Sequence, residues 1–221
     1  MYDVTNFFRK SAVVLVSNFS YLILSFLSIP VLYRELGASG YSYVAIYLML
    51  LQWSAFVDCG LAPCFSRYCA AKARTGEEGR VTSVLFAFER LEFYLAVLIL
   101  VLATLLTLIF FSHLAPAVAV CCLILLGRIL ANLYRGGLVA LEFQALVSAI
   151  SLAGNLMRFG IPALIAVYSE LTLSAFFIIQ LLVITGEALL NRLCLISNLS
   201  RCPAHVPKGE LRGLFRYGAS L

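Results

Sequence analysis

An all-α, polytopic membrane protein is the fold class this sequence predicts, and three observations predict it. Of 221 residues, 62% are hydrophobic and only 12% charged, with a mean hydropathy of +0.99; a soluble domain carries about 25% charged residues. The apolar residues fall into runs close to the length of about 20 residues needed to cross a hydrocarbon core of roughly 30 Å. The basic residues gather on alternate connectors between those runs, as in a chain oriented by the positive-inside rule. Together these features predict six transmembrane helices joined by mostly short connectors.

The first run, Ala12 to Leu32, follows "NFFRK" and has no small-residue cleavage site followed by a polar mature chain, so it reads as a retained span rather than a signal peptide. "YRELGASGYS" is expected to turn the chain, and Val44 to Phe65 forms span two. "SRYCAAKARTGEEGR" follows as the most charged connector. Span three lies within Val84 to Phe111, its apolar core starting near Phe93 because Glu89, Arg90 and Glu92 occupy the first turns. "SHLAP" is a minimal turn, span four covers Val118 to Tyr134, span five Leu146 to Tyr168 and span six Leu171 to Leu190. Arg9, Lys10, Arg67, Lys72, Arg74, Arg80, Arg135, Arg192, Arg201, Lys208 and Arg212 then fall on one side, and only Arg34 on the other. That asymmetry places the N-terminus and the long polar segments in the cytoplasm.

The net charge of +5 is accounted for by this anchoring at the inner leaflet. No interleaving of aromatic and basic residues points to nucleic acid. The seven cysteines lie mostly in or beside apolar runs and read as small buried hydrophobes. Cys59, Cys64 and Cys69 recur every five residues, which scatters them around a helix and argues against a metal site. No GxSxG, Walker loop, HExxH or CxxC occurs, and His113 and His205 fall on opposite sides of the expected topology. The chain is therefore not expected to be an enzyme, and no cofactor is expected.

Polar residues inside the spans are the candidate site. Asp58 lies in span two, Arg128 in span four, Asn155 and Arg158 share a face of span five, and Glu187 lies in the inner half of span six. An ionised side chain at the centre of a membrane helix costs about 2.5–3.5 kcal/mol on insertion scales, so such groups face the bundle interior or a wet cavity. Two readings are open: internal pairing, such as Asp58 with Arg158, together with snorkelling of Arg128 and Glu187; or a shared hydrophilic cavity. Within a cavity, Arg128 and Arg158, with Asn155, suit a substrate phosphate or pyrophosphate, while Asp58 and Glu187 suit coupling to sodium or a proton, or a structural role. Pro30, Pro63 and the Gly160–Pro162 pair are expected to loosen helices, which membrane bundles tolerate. Gly136, Gly137, Ala149 and Gly154 are consistent with close helix contact.

"FFRKSAV" near the start and "LFRYGAS" at the end align Phe8 with Phe215 and Arg9 with Arg216. The match is that of a repeat, with residues 1–210 as one six-helix lobe and 211–221 as the start of a second. The run "LYRELGASGYSYVAIYLMLLQWSAFVDCGLAPCFSRYCA" resembles the amino-terminal signature of the polysaccharide biosynthesis flippases, the O-antigen and teichoic-acid exporters of the multidrug and oligosaccharidyl-lipid exporter superfamily. The resemblance is carried by Leu36, Gly37, Gly40 and Tyr41, by Asp58, Gly60 and Leu61, and by Arg67, with Ser42 departing from the family's second small residue. "YRGGLVALEFQALVSAI" and "LMRFGIPALIAV" are similar to its span four and five region.

The resemblance implies one lobe of a two-lobe MATE-like transporter in the cytoplasmic membrane of a bacterium. It implies translocation of an undecaprenyl-pyrophosphate-linked oligosaccharide, the bilayer as surroundings, and a carboxy-terminal lobe or other polysaccharide assembly proteins as partners. Arg128 and Arg158 would then meet the pyrophosphate. A multidrug or cation exporter of the same superfamily, and a non-transporting fragment or scaffold, are the alternatives.

Overall fold

The computed structural model describes residues 4–57, 60–75, 78–110 and 115–199. In chain order the elements are α1 (Val4–Val57), α2 (Leu61–Thr75), α3 (Glu78–Phe110), α4 (Ala115–Ala140), α5 (Gln144–Asn155), a π-helical turn (Leu156–Gly160), α6 (Ile161–Tyr168) and α7 (Leu173–Asn198). No strand occurs among the described residues. Five helical stretches are long and apolar enough to cross a membrane: Phe19–Leu51, Val81–Ile109, Val118–Ala140, Gln144–Tyr168 and Leu173–Asn198. Large apolar side chains such as Phe26, Leu98, Leu164 and Leu182 project outward along them, an arrangement stable in lipid and costly in water.

The expected turn at residues 33–42 is a single residue. Gly37 has φ 68° and ψ 177°, inside an otherwise helical α1, a conformation open essentially to glycine alone. Its effect shows in what the two arms of α1 touch. The Tyr21 ring packs on Phe159 at 5.5 Å between centroids, and the Tyr47 hydroxyl reaches Gln180, which in turn bonds Arg158. In a straight helix Tyr21 and Tyr47 would stand about 39 Å apart at 1.5 Å per residue. Both reach the 158–159 region because the chain folds back at Gly37. Pro30 lies within the helix without ending it.

Span two does not run to Phe65 as expected. The helix ends at Val57, Gly60 takes φ 78°, and α2 begins afresh. This short helix buries Leu61, Ala62, Phe65, Tyr68 and Cys69 along one side and exposes Pro63 and Arg67 on the other. Pro63 sits in the first turn, where its missing N–H costs no intrahelical bond. Against α2 lies α4. A Cβ on Gly136 would come within 3.2 Å of the Ala62 carbonyl, and one on Gly137 within 2.9 Å of Phe65 and Leu195. Two adjacent glycines thus let α4 approach α2 and α7 closely, as small residues do in membrane bundles.

Two further boundaries move. Helix α3 starts at Glu78, and its polar first half carries the packed face: Val81, Val84, Leu85, Phe88 and Glu92 are buried, whereas Phe93, Tyr94 and Leu98 are exposed. Helix α4 continues through Arg135 to Ala140, so Arg135 lies within the helix and not in the connector that follows it. The chain then reverses tightly, with the Phe143 N–H donating to the Leu138 carbonyl and the Glu142 N–H to that of Val139. This is a Schellman ending with Glu142 at φ 68° in the position glycine usually takes.

Two apolar cores result. One joins Phe65, Val84, Leu85, Leu133, Leu138, Val147 and Leu195; the other joins Leu32, Val44, Tyr47, Ile124, Ala166, Phe176 and Ile184. On α4, on the α5–α6 stretch and on α7 alike, a polar segment separates the residues that enter one core from those that enter the other.

Candidate functional site

That polar layer is the site. Helix α4 supplies Arg128 and Arg135, seven residues apart and so on one face. The π-helical turn supplies Arg158, and α7 supplies Gln180, Glu187 and Asn191, at i, i+7 and i+11. The Arg158 Nη2 donates to Glu187 Oε2 at 3.0 Å, with both side chains almost fully enclosed. Arg128 lies 3.7 Å from the same oxygen and Arg135 3.9 Å from Oε1, each partly exposed. One carboxylate therefore gathers three guanidinium groups, leaving two positive charges in excess among these four residues. Helices α4 and α7 run side by side, with Gly127 against Ile184 and Gly137 against Leu195, which sets the arginines of α4 at the level of Glu187.

Arg158 is held at its backbone as well. Position 162 is proline, so the N–H that would reach the Arg158 carbonyl in an α-helix is missing. Gln180 Nε2 donates to that carbonyl at 2.9 Å, and the Tyr47 hydroxyl donates to Gln180 Oε1 at 3.1 Å. The π-helical turn immediately before Pro162 is the local widening that places Arg158 between α7 and α4. Tyr47 is itself clamped edge-on by the rings of Phe176 and Phe177. Tyr47 of α1 and Gln180 and Glu187 of α7 thus fix one arginine.

Around the ion cluster, several buried polar atoms make no hydrogen bond within the described residues: Arg158 Nε, Ser151 Oγ and Asn191 Oδ1. The Asn191 amide meanwhile donates to the Glu187 carbonyl at 2.9 Å. Nearby on α3, Glu89 accepts from the Tyr134 hydroxyl at 2.9 Å and from Arg192 Nε at 2.8 Å, which ties α3 to α4 and α7.

Of the residues singled out from sequence, Arg128, Arg158 and Glu187 come together, and Asn155 is buried one turn before Arg158. Asp58 lies outside the described residues. Among the described residues, the carboxylate paired with Arg158 is that of Glu187. Glu187 is buried, and Arg128 lies 3.7 Å from its carboxylate. Sequence reasoning missed Arg135, which it counted as a connector anchor, and also Tyr47, Gln180 and Asn191. A signal for the last two was present in the polar stripe Gln180, Glu187, Asn191 on one side of an apolar helix. Compared with protein-family models, curated proteins and solved structures, the chain matches none of them.

Proposed function

We propose that this chain is a six-helix lobe of a membrane carrier that moves an anionic, lipid-linked oligosaccharide across the bilayer, a flippase of the polysaccharide biosynthesis type. The observation that carries it is the convergence of Arg128, Arg135 and Arg158 on the single carboxylate of Glu187. Excess positive charge on fixed guanidinium forks favours a phosphate or pyrophosphate head group and disfavours a cationic drug. The fold-back at Gly37 supports six crossings, because α1 then contributes two arms. Gly37 and Gly60, both at positive φ, belong to the sequence pattern that resembles the flippases. A second six-helix unit is the proposed partner, and the cytoplasmic membrane of a bacterium the proposed location.

In operation, Glu187 holds the arginines in register while the site is free of substrate. An arriving pyrophosphate competes for Arg128 and Arg135, the two partly exposed members, while Arg158 stays locked to α7. Protonation of Glu187 or sodium binding beside it would release the same arginines, giving a route for ion coupling. The test is reconstitution of the full chain into liposomes containing undecaprenyl-pyrophosphate-linked sugar, read by loss of the sugar to an external glycosidase. Acceleration over protein-free liposomes, lost in Arg128→Gln, is the expected result. A rate equal to that of empty liposomes, with correctly folded protein, overturns it.

A further inference from the structure

A carried lipid presents two problems at once. Its charged head must reach the arginine layer, while its hydrocarbon chain must stay out of water, at about 0.8 kcal/mol per methylene. A lateral apolar slot beside the polar layer solves both.

Such a slot exists between α5 and α7. A groove of about 590 Å³ is lined by apolar residues, Ala149, Ala153, Met157 and Leu190 among them, and by Glu187, the only ionisable side chain in its lining. Small residues create the space. Gly154 lies against the carboxylate, where a Cβ would stand 3.3 Å from Glu187 Oε2, and a Cβ on Gly186 would meet nothing within 4 Å. The rim residues Met157, Leu182 and Leu190 are more than half exposed along membrane-spanning helices. The groove therefore leads from the outer, lipid-facing surface to the oxygen that Arg128 and Arg158 share.

Resting on the transport function proposed above, the geometry points to this groove as the slot for the hydrocarbon chain of an anionic lipid whose phosphate occupies the arginine layer. Its volume is that of a small-molecule site, which spans roughly 300–1,000 Å³, and a helix about 10–12 Å across with its side chains does not fit within it. Charge selects among lipids. The excess of two positive charges behind Glu187 favours a phosphate head over a zwitterionic or neutral one.

The experiment places a photo-cross-linking amino acid at Met157 on the groove rim, or at Leu98 on the outward face of α3 as a control. The full chain is reconstituted in phosphatidylcholine with a trace of radiolabelled undecaprenyl phosphate. The expected result is a labelled lipid adduct at 157 in at least about fivefold excess over 98, the ratio that one extra favourable charge contact gives. Gly186→Leu, which the open space at that position accommodates, should plug the groove and remove the excess. Equal yields at the two positions overturn the slot, as does a yield at 157 that the plug leaves unchanged. An adduct at 157 to a second polypeptide overturns it in favour of a protein surface. The slot and the transport function fail separately. If Gly186→Leu still moves the lipid-linked sugar, the slot is wrong and the carrier stands; if the 157 adduct forms as expected but the wild-type chain moves nothing, the carrier is wrong and the slot stands.

Discussion

Glu187 sets the energetics at the scale of single residues. Removing one partner of a buried ion pair leaves an uncompensated charge and costs about 3–5 kcal/mol. Glu187→Gln should therefore lower stability by that amount, because Arg158 is enclosed with it. Arg135→Gln, which removes a partly exposed cation 3.9 Å away, should change stability by no more than about 1 kcal/mol. Unfolding of both variants in detergent checks the contrast, and a Glu187→Gln variant as stable as the wild type contradicts the buried pairing. A second prediction concerns Cys69 on α2, whose thiol is pushed up to about 12 by burial. A raised value keeps the thiol neutral at pH 7 to 9, and only the thiolate is nucleophilic. Cys69, which is fully buried, should thus resist maleimide at neutral pH while the partly exposed Cys64 reacts. Mass spectrometry after a timed pulse separates the two sites.

At the scale of elements, Pro162 and Gln180 form a matched pair. Proline deprives the Arg158 carbonyl of its helical donor, and the Gln180 amide takes the donor's place. Gln180→Leu should cost about 1–3 kcal/mol, the price of leaving a buried carbonyl underserved. Pro162→Ala restores a backbone N–H at the right position, so Gln180→Leu should cost less in that background. A double-mutant cycle read by thermal unfolding should give a coupling of about 0.5–3 kcal/mol, and strict additivity contradicts the compensation. Hydrogen exchange across residues 156–166 should report the same coupling locally.

The element boundaries also show what was legible in the sequence. Each of the six expected hydrophobic runs overlaps one of the five membrane-length stretches, the first two sharing Phe19–Leu51, since composition over about 20 residues is a long-range average that neighbours do not alter. The termini were less legible. Hydropathy ends span four just before Arg135, yet α4 runs past it, and Arg135 lies 3.9 Å from Glu187 on α7. Hydropathy places Glu89 and Glu92 in the first turns of span three, ahead of its apolar core, yet that half of α3 faces α2 and α4. Arg135 and Glu89 are both satisfied by tertiary contact, and hydropathy has no means of seeing a partner from another helix.

Across the whole molecule, two apolar cores flank one polar layer, and the proposed orientation follows from the basic residues on one side. Lys72→Cys, on the half-buried face of α2, should be reached by membrane-impermeant maleimide only from the cytoplasmic side. Glu170→Cys, in the exposed connector between α6 and α7, should be reached only from outside. Labelling of both from the same face contradicts the orientation.

The sequence by itself determined the solvent, the helical class and the unusual presence of Arg128, Arg158 and Glu187 inside apolar stretches. Those properties are local: hydropathy, helix length and the cost of a charge in hydrocarbon are written in each segment separately. Tertiary structure alone decided that the three residues meet at one carboxylate, that Arg135 joins them, that Gln180 and Tyr47 hold Arg158, and that an apolar groove between α5 and α7 reaches Glu187. The physical reason is that pairing depends on helix register and rotation. These are set here by glycines 127, 136, 137 and 154 at helix contacts, and a one-residue shift would turn a polar face by about 100°.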